Sequence, residues 1–465
     1  MARDTSTALP VRLDRASPTP LAVQLADALR ARAASGQLRS GDRLPSTRAL
    51  AARLRVSRTV AAAAYEQLHA EGWIAGRHGS GTYVTTTPPG ALPARPPRSR
   101  RETSNDNVID LTLGSPWADG LDRAAWRRAW RASADVVPLL RPQRTGLPEF
   151  RTTVAEHLLR HRGLVAAEDS VLATSGTSAA AGELAAAGLF GDGATVAVEE
   201  PGYQRAVGAL RACGIRVLPA PVDDGGLIPD AVPAGVRAVY CSPSHQYPLG
   251  GRMIASRRVA LVERARAEGM LVIEDDYDGE LRYDVAPLPL LAALAPDVVV
   301  HLGTTSKILT PTLGIGWMVA PPSVGSAVLA HRERTGTNPA AAGQRVLVEL
   351  ARNGDLARHL RKLRRELAAR RALLVDGLTE AGVRVLGDDA GAHVVVPLPS
   401  AEAERAVLAA AARRGIWLDG LRRHHAGKPG RYGVAVGYTS CARPTLRAAL
   451  GTLVSLFQGY STHPV

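Results

Sequence analysis

Aromatic residues make up only 4% of this 465-residue chain, with three Phe and four Met. Its interior must therefore be built from Ala, Val and Leu. Only three cysteines occur, Cys213, Cys241 and Cys441. Their wide spacing carries no metal-ligand pattern, which argues against a disulfide framework or a zinc site and fits a reducing compartment. No stretch approaches the roughly 18 apolar residues of a membrane span. The N-terminal Met1-Ala-Arg-Asp-Thr-Ser lacks the apolar run of a signal peptide, so a soluble, cytoplasmic protein is expected. Internal repeats are absent as well.

What is present begins with size and charge. A chain of this length exceeds one hydrophobic core, and two or three domains are expected. Hydrophobic residues at 46% against 22% charged describe a globular chain. The 57 Lys plus Arg outnumber 43 Asp plus Glu, a formal net charge of +14 that attracts polyanions, nucleic acid first among them. A merely solvated basic surface is the alternative that motifs must decide. Residues 85–107, TTTPPGALPARPPRSRRETSNDN, crowd Pro, Arg and Ser together and read as an extended linker. The linker leaves a head over 11–84 and a body over 108–465, the body divided into a large part at about 140–325 and a small part at about 330–465.

In the head, Leu21, Leu25, Ala28 and Leu29 share one face of a helix starting near Pro18 and stopped by Gly36. Two shorter helices follow, capped by Ser46 and Ser57, with a tight turn at Arg55-Val56 between them. The first carries Leu50 and Leu54 inward, and the second runs from about Arg58 to Ala70. Gly76 to Val84 then reads as a hairpin with a glycine-rich tip. Two capped helices and such a hairpin match a winged helix-turn-helix, whose second helix enters the major groove of double-stranded DNA. The segments Gly41-Asp-Arg-Leu-Pro-Ser46-Thr-Arg48, Val56-Ser57-Arg58-Thr59 and Gly79-Ser-Gly81-Thr82-Tyr83-Val84 resemble the GntR family. That resemblance implies that Arg48, Ser57, Arg58 and Thr59 face DNA, with His78 and Gly79 in the wing. Arg43 and Arg77 suit backbone phosphates, since a guanidinium pairs well with them.

In the body, strand-like runs at Val171, Thr195, Ala238, Leu271 and Val298 alternate with helical stretches, which predicts an α/β domain with a mainly parallel sheet. A long basic helix from Asp355 to about Leu378 leads into a smaller α+β region with strands near Val394–Val396 and Gly433–Val436. Lys307 follows the cluster Glu274-Asp-Asp-Tyr277-Asp278 by about thirty residues. An amine and a fixed carboxylate are what an aldehyde cofactor such as pyridoxal 5'-phosphate (PLP) needs. Asp275, Asp276 and Asp278 all compete for the carboxylate role on sequence alone.

Five separated motifs are similar to the fold-type I aminotransferases: Thr174-Ser-Gly176-Thr-Ser178, Glu200-Pro-Gly-Tyr203-Gln-Arg205, Pro243-Ser-His-Gln246-Tyr-Pro, Glu274-Asp275-Asp-Tyr277 and Thr304-Thr-Ser306-Lys307. A GntR-like head on such a body is the architecture of the MocR/GabR-type regulators. The resemblance implies a Schiff base at Lys307, a pyridinium partner in Asp275, and a hydrogen bond from Tyr277 to the ring oxygen. It implies stacking by Tyr203 and further cofactor contacts from Gln246, Thr304 and Ser306. Ser175, Gly176 and Thr177 would hold the phosphate at a helix N-terminus. Arg205 resembles the arginine that GABA-responsive members use for a ligand carboxylate, and Arg431 is a second candidate. The chain departs from the pattern twice. Gly314 stands seven residues after the lysine, where relatives carry a phosphate-binding arginine, and Ser178 stands where glutamine is usual. Losing one charge-assisted contact costs about 1.5–3 kcal/mol, so weakened cofactor binding is expected.

The leading expectation is a transcriptional regulator that binds an operator and senses PLP, or a PLP adduct of an amino compound, as a head-to-tail homodimer without a metal. Two alternatives stand beside it. One is an active aminotransferase with an accessory DNA-binding head, since the same lysine serves turnover. The other is a PLP-free repressor that keeps the fold as a dimerisation scaffold.

Overall fold

The computed structural model describes residues 11–35, 37–77, 81–85, 108–283 and 289–460. The chain divides into two compact units, Met1–Ser104 and Asn105–Val465.

In the first unit, helix Leu21–Ala34 begins behind Pro20, because prolines 18 and 20 leave no N–H to carry the helix further back. Helices Thr47–Leu54 and Arg58–Ala70 follow. Each starts at a serine whose hydroxyl accepts a backbone N–H, Ser46 from Ala49 and Ser57 from Val60, both at 3.2 Å. Arg55 turns the chain between them in the left-handed region, with φ 53°. Strands Ile74–Arg77 and Gly81–Val84 form a hairpin, and Arg43–Leu44 adds to its outer edge. Leu25, Leu29, Leu50, Ala64, Leu68, Ile74 and Val84 close one core. Leu54 is only half-buried. Gly36, His78 and Gly79 lie outside the described residues.

The second unit is built on an eight-stranded sheet in the order Val171–Thr174, Gly316–Val319, Val299–Thr304, Leu271–Asp275, Ala238–Cys241, Thr195–Glu200, Arg216–Asp223, Gly226–Leu227. Gly316–Val319 runs antiparallel to both neighbours, and Gly226–Leu227 runs antiparallel to Arg216–Asp223. The other strands are parallel, as the alternation with helices requires. The inner strands are buried on both faces, which explains their continuous apolar runs. Helix Asp355–Glu380 leads to a small sheet in which His393–Leu398 pairs antiparallel with Tyr432–Gly437. Five of the parallel strands send their carboxyl ends toward the same edge, where Gly176, Tyr203, His245, Asp275 and Lys307 follow them. That edge is where open α/β sheets bind ligands.

Candidate functional site

The acidic run after strand Leu271–Asp275 resolves by alternation. Glu274 accepts the backbone N–H groups of Leu291 and Ala292 at 2.7 and 3.1 Å. Asp276 takes Arg162 through two bonds of 2.6 and 2.8 Å, and Asp278 takes His245 Nδ1 at 2.8 Å. Glu280 pairs with His157 at 2.8 Å, and although burial opposes it, that pairing holds its carboxyl down at about 2. Asp275 differs. Its Oδ2 accepts the Tyr240 hydroxyl and its side chain also meets Thr177, but Oδ1 is buried without a partner. Burial pushes its carboxyl up to about 7 against those two hydrogen bonds. The three aspartates that compete in the sequence are thus separated: two are hydrogen-bonded to a basic side chain, and one keeps a buried oxygen without a partner.

Lys307 follows strand Val299–Thr304, and its Nζ donates to the Gly114 carbonyl at 3.0 Å. Burial lowers its pKa, opposed by the charges of Asp278 and Asp275 and assisted by Arg205. A larger share of free amine follows, the form that attacks a carbonyl. Beside it, Gly176 caps helix Thr177–Ala186 with φ 117°, leaving the first N–H groups of the helix open to an anion. The Thr304 and Ser306 hydroxyls lie 2.9 Å apart, and a Cβ on Gly176 would stand 3.7 Å from Thr304 Oγ1. Thr177 turns its hydroxyl toward Asp275, and Ser175 is exposed. Gly314 ends the turn Pro311–Leu313 with φ 64°, and a Cβ there would meet nothing within 4 Å.

Three tyrosines line the cleft. Tyr203 and Tyr247 meet edge to face at 5.5 Å, and Tyr247 meets Tyr277 at 5.8 Å. Gln246 is placed differently from the expected cofactor contact. Its carboxamide donates to Glu199 and to the carbonyls of Pro201 and Tyr247, and accepts from Leu249 N, so all its bonding is spent inside the loop. The adjacent Tyr247 is the side chain that faces the other rings, and sequence reasoning passed over it although it stands in the same motif. Arg205 lies exposed on the first turn of helix Gln204–Ala212, in the electrostatic reach of Lys307. Arg431 instead lies 3.9 Å from Asp224, on the turn after strand Arg216–Asp223. The small part reaches this edge through Glu200, which accepts N–H bonds from Ala426 and Gly427, and through His424, whose carbonyl accepts from Gly202.

In the first unit, Arg48, Ser57, Arg58 and Thr59 are all exposed at the starts of the two short helices. The Arg43 side chain lies against Gly81, where an added Cβ would stand 3.0 Å from its Nε, and Arg77 ends the first hairpin strand. Among the described residues no cluster of His, Cys, Asp or Glu is arranged to hold a metal ion, and no helix is long and apolar enough to cross a membrane.

Residues 21–84 match the bacterial regulatory proteins of the gntR family, and residues 107–446 match aminotransferase class I and II. Over 96% of its length the chain is 34% identical to the HTH-type pyridoxine biosynthesis transcriptional regulator PdxR of Corynebacterium glutamicum, covering 98% of that protein. It is 31% identical to the probable rhizopine catabolism regulatory protein MocR of Rhizobium meliloti, over 96% of this chain and 95% of that one. Among solved structures, an archaeal alanine:glyoxylate aminotransferase superposes with a TM-score of 0.70 at 23% identity, covering 76% of this chain and 91% of its own. Pyrococcus horikoshii kynurenine aminotransferase superposes with a TM-score of 0.68 at 25% identity, over 76% and 91%. The chain belongs to the MocR-type transcriptional regulators, with a GntR-type DNA-binding head joined to a fold-type I aminotransferase-like body.

Proposed function

We propose that the body binds PLP at Lys307 and that the protein regulates transcription in response to PLP or to a PLP adduct of an amino compound. The observation that carries this reading is Asp275 Oδ1, a buried carboxylate oxygen with no partner beside a lysine whose charge is disfavoured. A protonated ring nitrogen is the group such an oxygen lacks, since burying an unpaired carboxylate is costly. The remaining residues fit the same occupant. Lys307 would take the aldehyde, Tyr203 and Tyr247 offer ring faces, and the N-terminus of Thr177–Ala186 with Thr304 and Ser306 would take the phosphate. When bound, PLP supplies an electron sink and a carbonyl that condenses with amines. Arg205, exposed and close in charge to Lys307, suits the carboxylate of an amino-acid effector. Arg431 would have to leave Asp224 to share that task.

The relative named for pyridoxine biosynthesis supports PLP itself as the signal, while the rhizopine-related relative supports an amino compound. A homodimer is supported by one exposed apolar stretch, where Val137 and Leu140 are 80% and 99% exposed beside Trp130, Val136 and Leu139. Any effector must bind two arrangements of the body with different affinity to change operator binding.

The test is spectroscopic and functional. Purified protein titrated with PLP is expected to develop a visible band that Lys307→Ala abolishes without loss of fold. Operator affinity, measured by fluorescence anisotropy, is expected to change with PLP or an added amine in the wild type only. Absence of the band, or operator binding indifferent to both ligands, would sink the reading. Sustained keto-acid formation would instead favour the aminotransferase.

A further inference from the structure

His245 stands at the carboxyl edge of the sheet with an environment that no cofactor contact explains. Its ring is 2% exposed, and Nδ1 lies 2.8 Å from Asp278 Oδ2 and 2.9 Å from the Tyr277 hydroxyl. Nε2 is buried without a partner. An ionised carboxylate only accepts, so Nδ1 carries a proton toward Asp278, while Nε2 meets no partner. A nitrogen that donates cannot also accept from Tyr277. The Tyr277 oxygen therefore shares the Nδ1–H proton with Asp278, while its own O–H hydrogen-bonds the Asp278 carboxylate in the empty site.

The ring is held from the far side by the small part. A Cβ on Gly391 would fall 2.0 Å from His245 Cε1, and one on Gly250 would fall 3.3 Å from Nε2, so both glycines exist where the imidazole presses against backbone. Gly391 is itself pinned: its N–H donates to Leu281 O at 2.6 Å, and its carbonyl accepts the hydroxyls of Tyr283 and Tyr438 at 2.5 and 2.9 Å. His393, two residues on, lies 5.4 Å from His245 ring to ring, and its Nε2 donates to Pro248 O, 2.8 Å away. Asp278, Tyr277 and His393 are thus the titratable groups against this imidazole, with Tyr247 packed beyond them.

We infer that His245, anchored by Asp278 and wedged beneath Gly391, is a positioning residue: it orients the Tyr277 hydroxyl toward the cofactor ring and ties that orientation to the seat of the small part. This rests on the PLP reading. The Tyr277 proton, held by Asp278 in the empty site, would turn to an oxygen on the ring when the cofactor is bound. Any displacement of Gly391 would loosen the imidazole and with it that proton.

The experiment uses the full-length protein with PLP as the probe, comparing wild type, His245→Phe, Asp278→Asn and Gly391→Ala. Each variant is expected to bind PLP about tenfold more weakly and to raise the pH midpoint of the visible band by about one unit, the worth of one lost hydrogen bond to the ionised form. Tyr277→Phe is expected to give the same shift, and His245→Phe added to it no further shift, whereas a merely structural histidine would lower thermal stability and leave the midpoint in place. Variants with an unchanged midpoint, or additive shifts, overturn the inference. A second readout needs no cofactor: in apo protein carrying 15N-histidine, His245 is expected to show a protonated Nδ1 and a bare Nε2, and a protonated Nε2 alone overturns it. Wild type that never takes PLP would refute the proposed function, while the nitrogen assignment would still decide the tautomer.

Discussion

Replacing Asp275 with asparagine should stabilise the apoprotein at pH 8 and weaken its hold on PLP. In the folded body burial pushes this carboxyl from its ordinary 3.8 up to about 7. Between those values the folded state keeps a proton that the unfolded chain releases, so stability falls as pH rises through this window and the full penalty is present above it. A shift of that size corresponds to roughly 4 kcal/mol. Asparagine removes the charge, yet leaves an amide N–H facing the space around Oδ1, which returns about 1–2 kcal/mol. The net gain is about 2–3 kcal/mol at pH 8, a rise of about 3 °C in the unfolding temperature of the body. Little change is expected at pH 4, where the folded state is protonated, the unfolded chain is only about half ionised and little of the penalty has developed. Glu199, pushed by burial to about 7 and raised further by Asp275, keeps part of the pH dependence in the variant. Calorimetry of full-length protein across pH 4 to 8, paired with PLP titration, measures both halves. If Asp275→Asn were less stable than wild type at pH 8, or followed the same pH slope, the assignment of a costly, unpaired carboxylate would be wrong.

Three further substitutions have expected outcomes. Gly314→Arg has room at the Cβ position but must adopt φ 64°, so it should cost about 1–2 kcal/mol of stability. By restoring a guanidinium to the loop after the lysine it should tighten PLP binding about tenfold or more, read as a lower dissociation constant by absorbance titration; unchanged affinity would mean that the loop does not face the phosphate. In the head, Arg58→Ala should lower operator affinity and reduce the magnitude of its salt slope, whereas Ser57→Ala should cost about 1 kcal/mol of head stability through the lost cap. An Arg58→Ala protein with wild-type operator affinity would place the helix Arg58–Ala70 away from DNA.

Much of the fold was legible because local rules and global packing agree. Ser46 and Ser57 mark helix starts, and both hydroxyls accept the N–H groups that such starts leave open. The apolar runs at Thr195, Ala238, Leu271 and Val298 became inner strands and that at Val171 a buried edge strand, since a sheet covered on both faces needs no polar alternation. Strand Arg216–Asp223 was not legible, because Pro219 and Pro221 interrupt its pattern; it is tolerated near the sheet edge, with only Gly226–Leu227 outside it. Gly316–Val319 was hidden by its length of four residues. In the site, motif residues could be placed at strand ends, but which neighbour points inward depends on loop geometry. Tyr247, to which the sequence reading gave no part, faces the other rings where Gln246 was expected, for that reason. The choice among Asp275, Asp276 and Asp278 required the positions of Arg162 and His245, which arrive from distant segments.

A pattern connects these observations. The buried carboxylates around the acidic run almost all have a basic partner in place: Asp276 with Arg162, Glu280 with His157, Asp278 with His245. Those pairs give a rigid frame, since each partner left alone would be an unpaired buried charge. Within that frame the apoprotein leaves two groups disfavoured in their charged forms, Asp275 and Lys307. A ligand bringing a protonated ring nitrogen and an aldehyde relieves both, so its binding energy includes the removal of a penalty already present in the empty site. For a regulator it makes occupancy a change in the stability of the body, and the bonds from Glu200 to Ala426 and Gly427 and from Gly202 to His424 place the small part within reach of that change. On the proposed reading the missing guanidinium at Gly314 fits the same logic, because a weaker phosphate grip would keep the cofactor exchangeable.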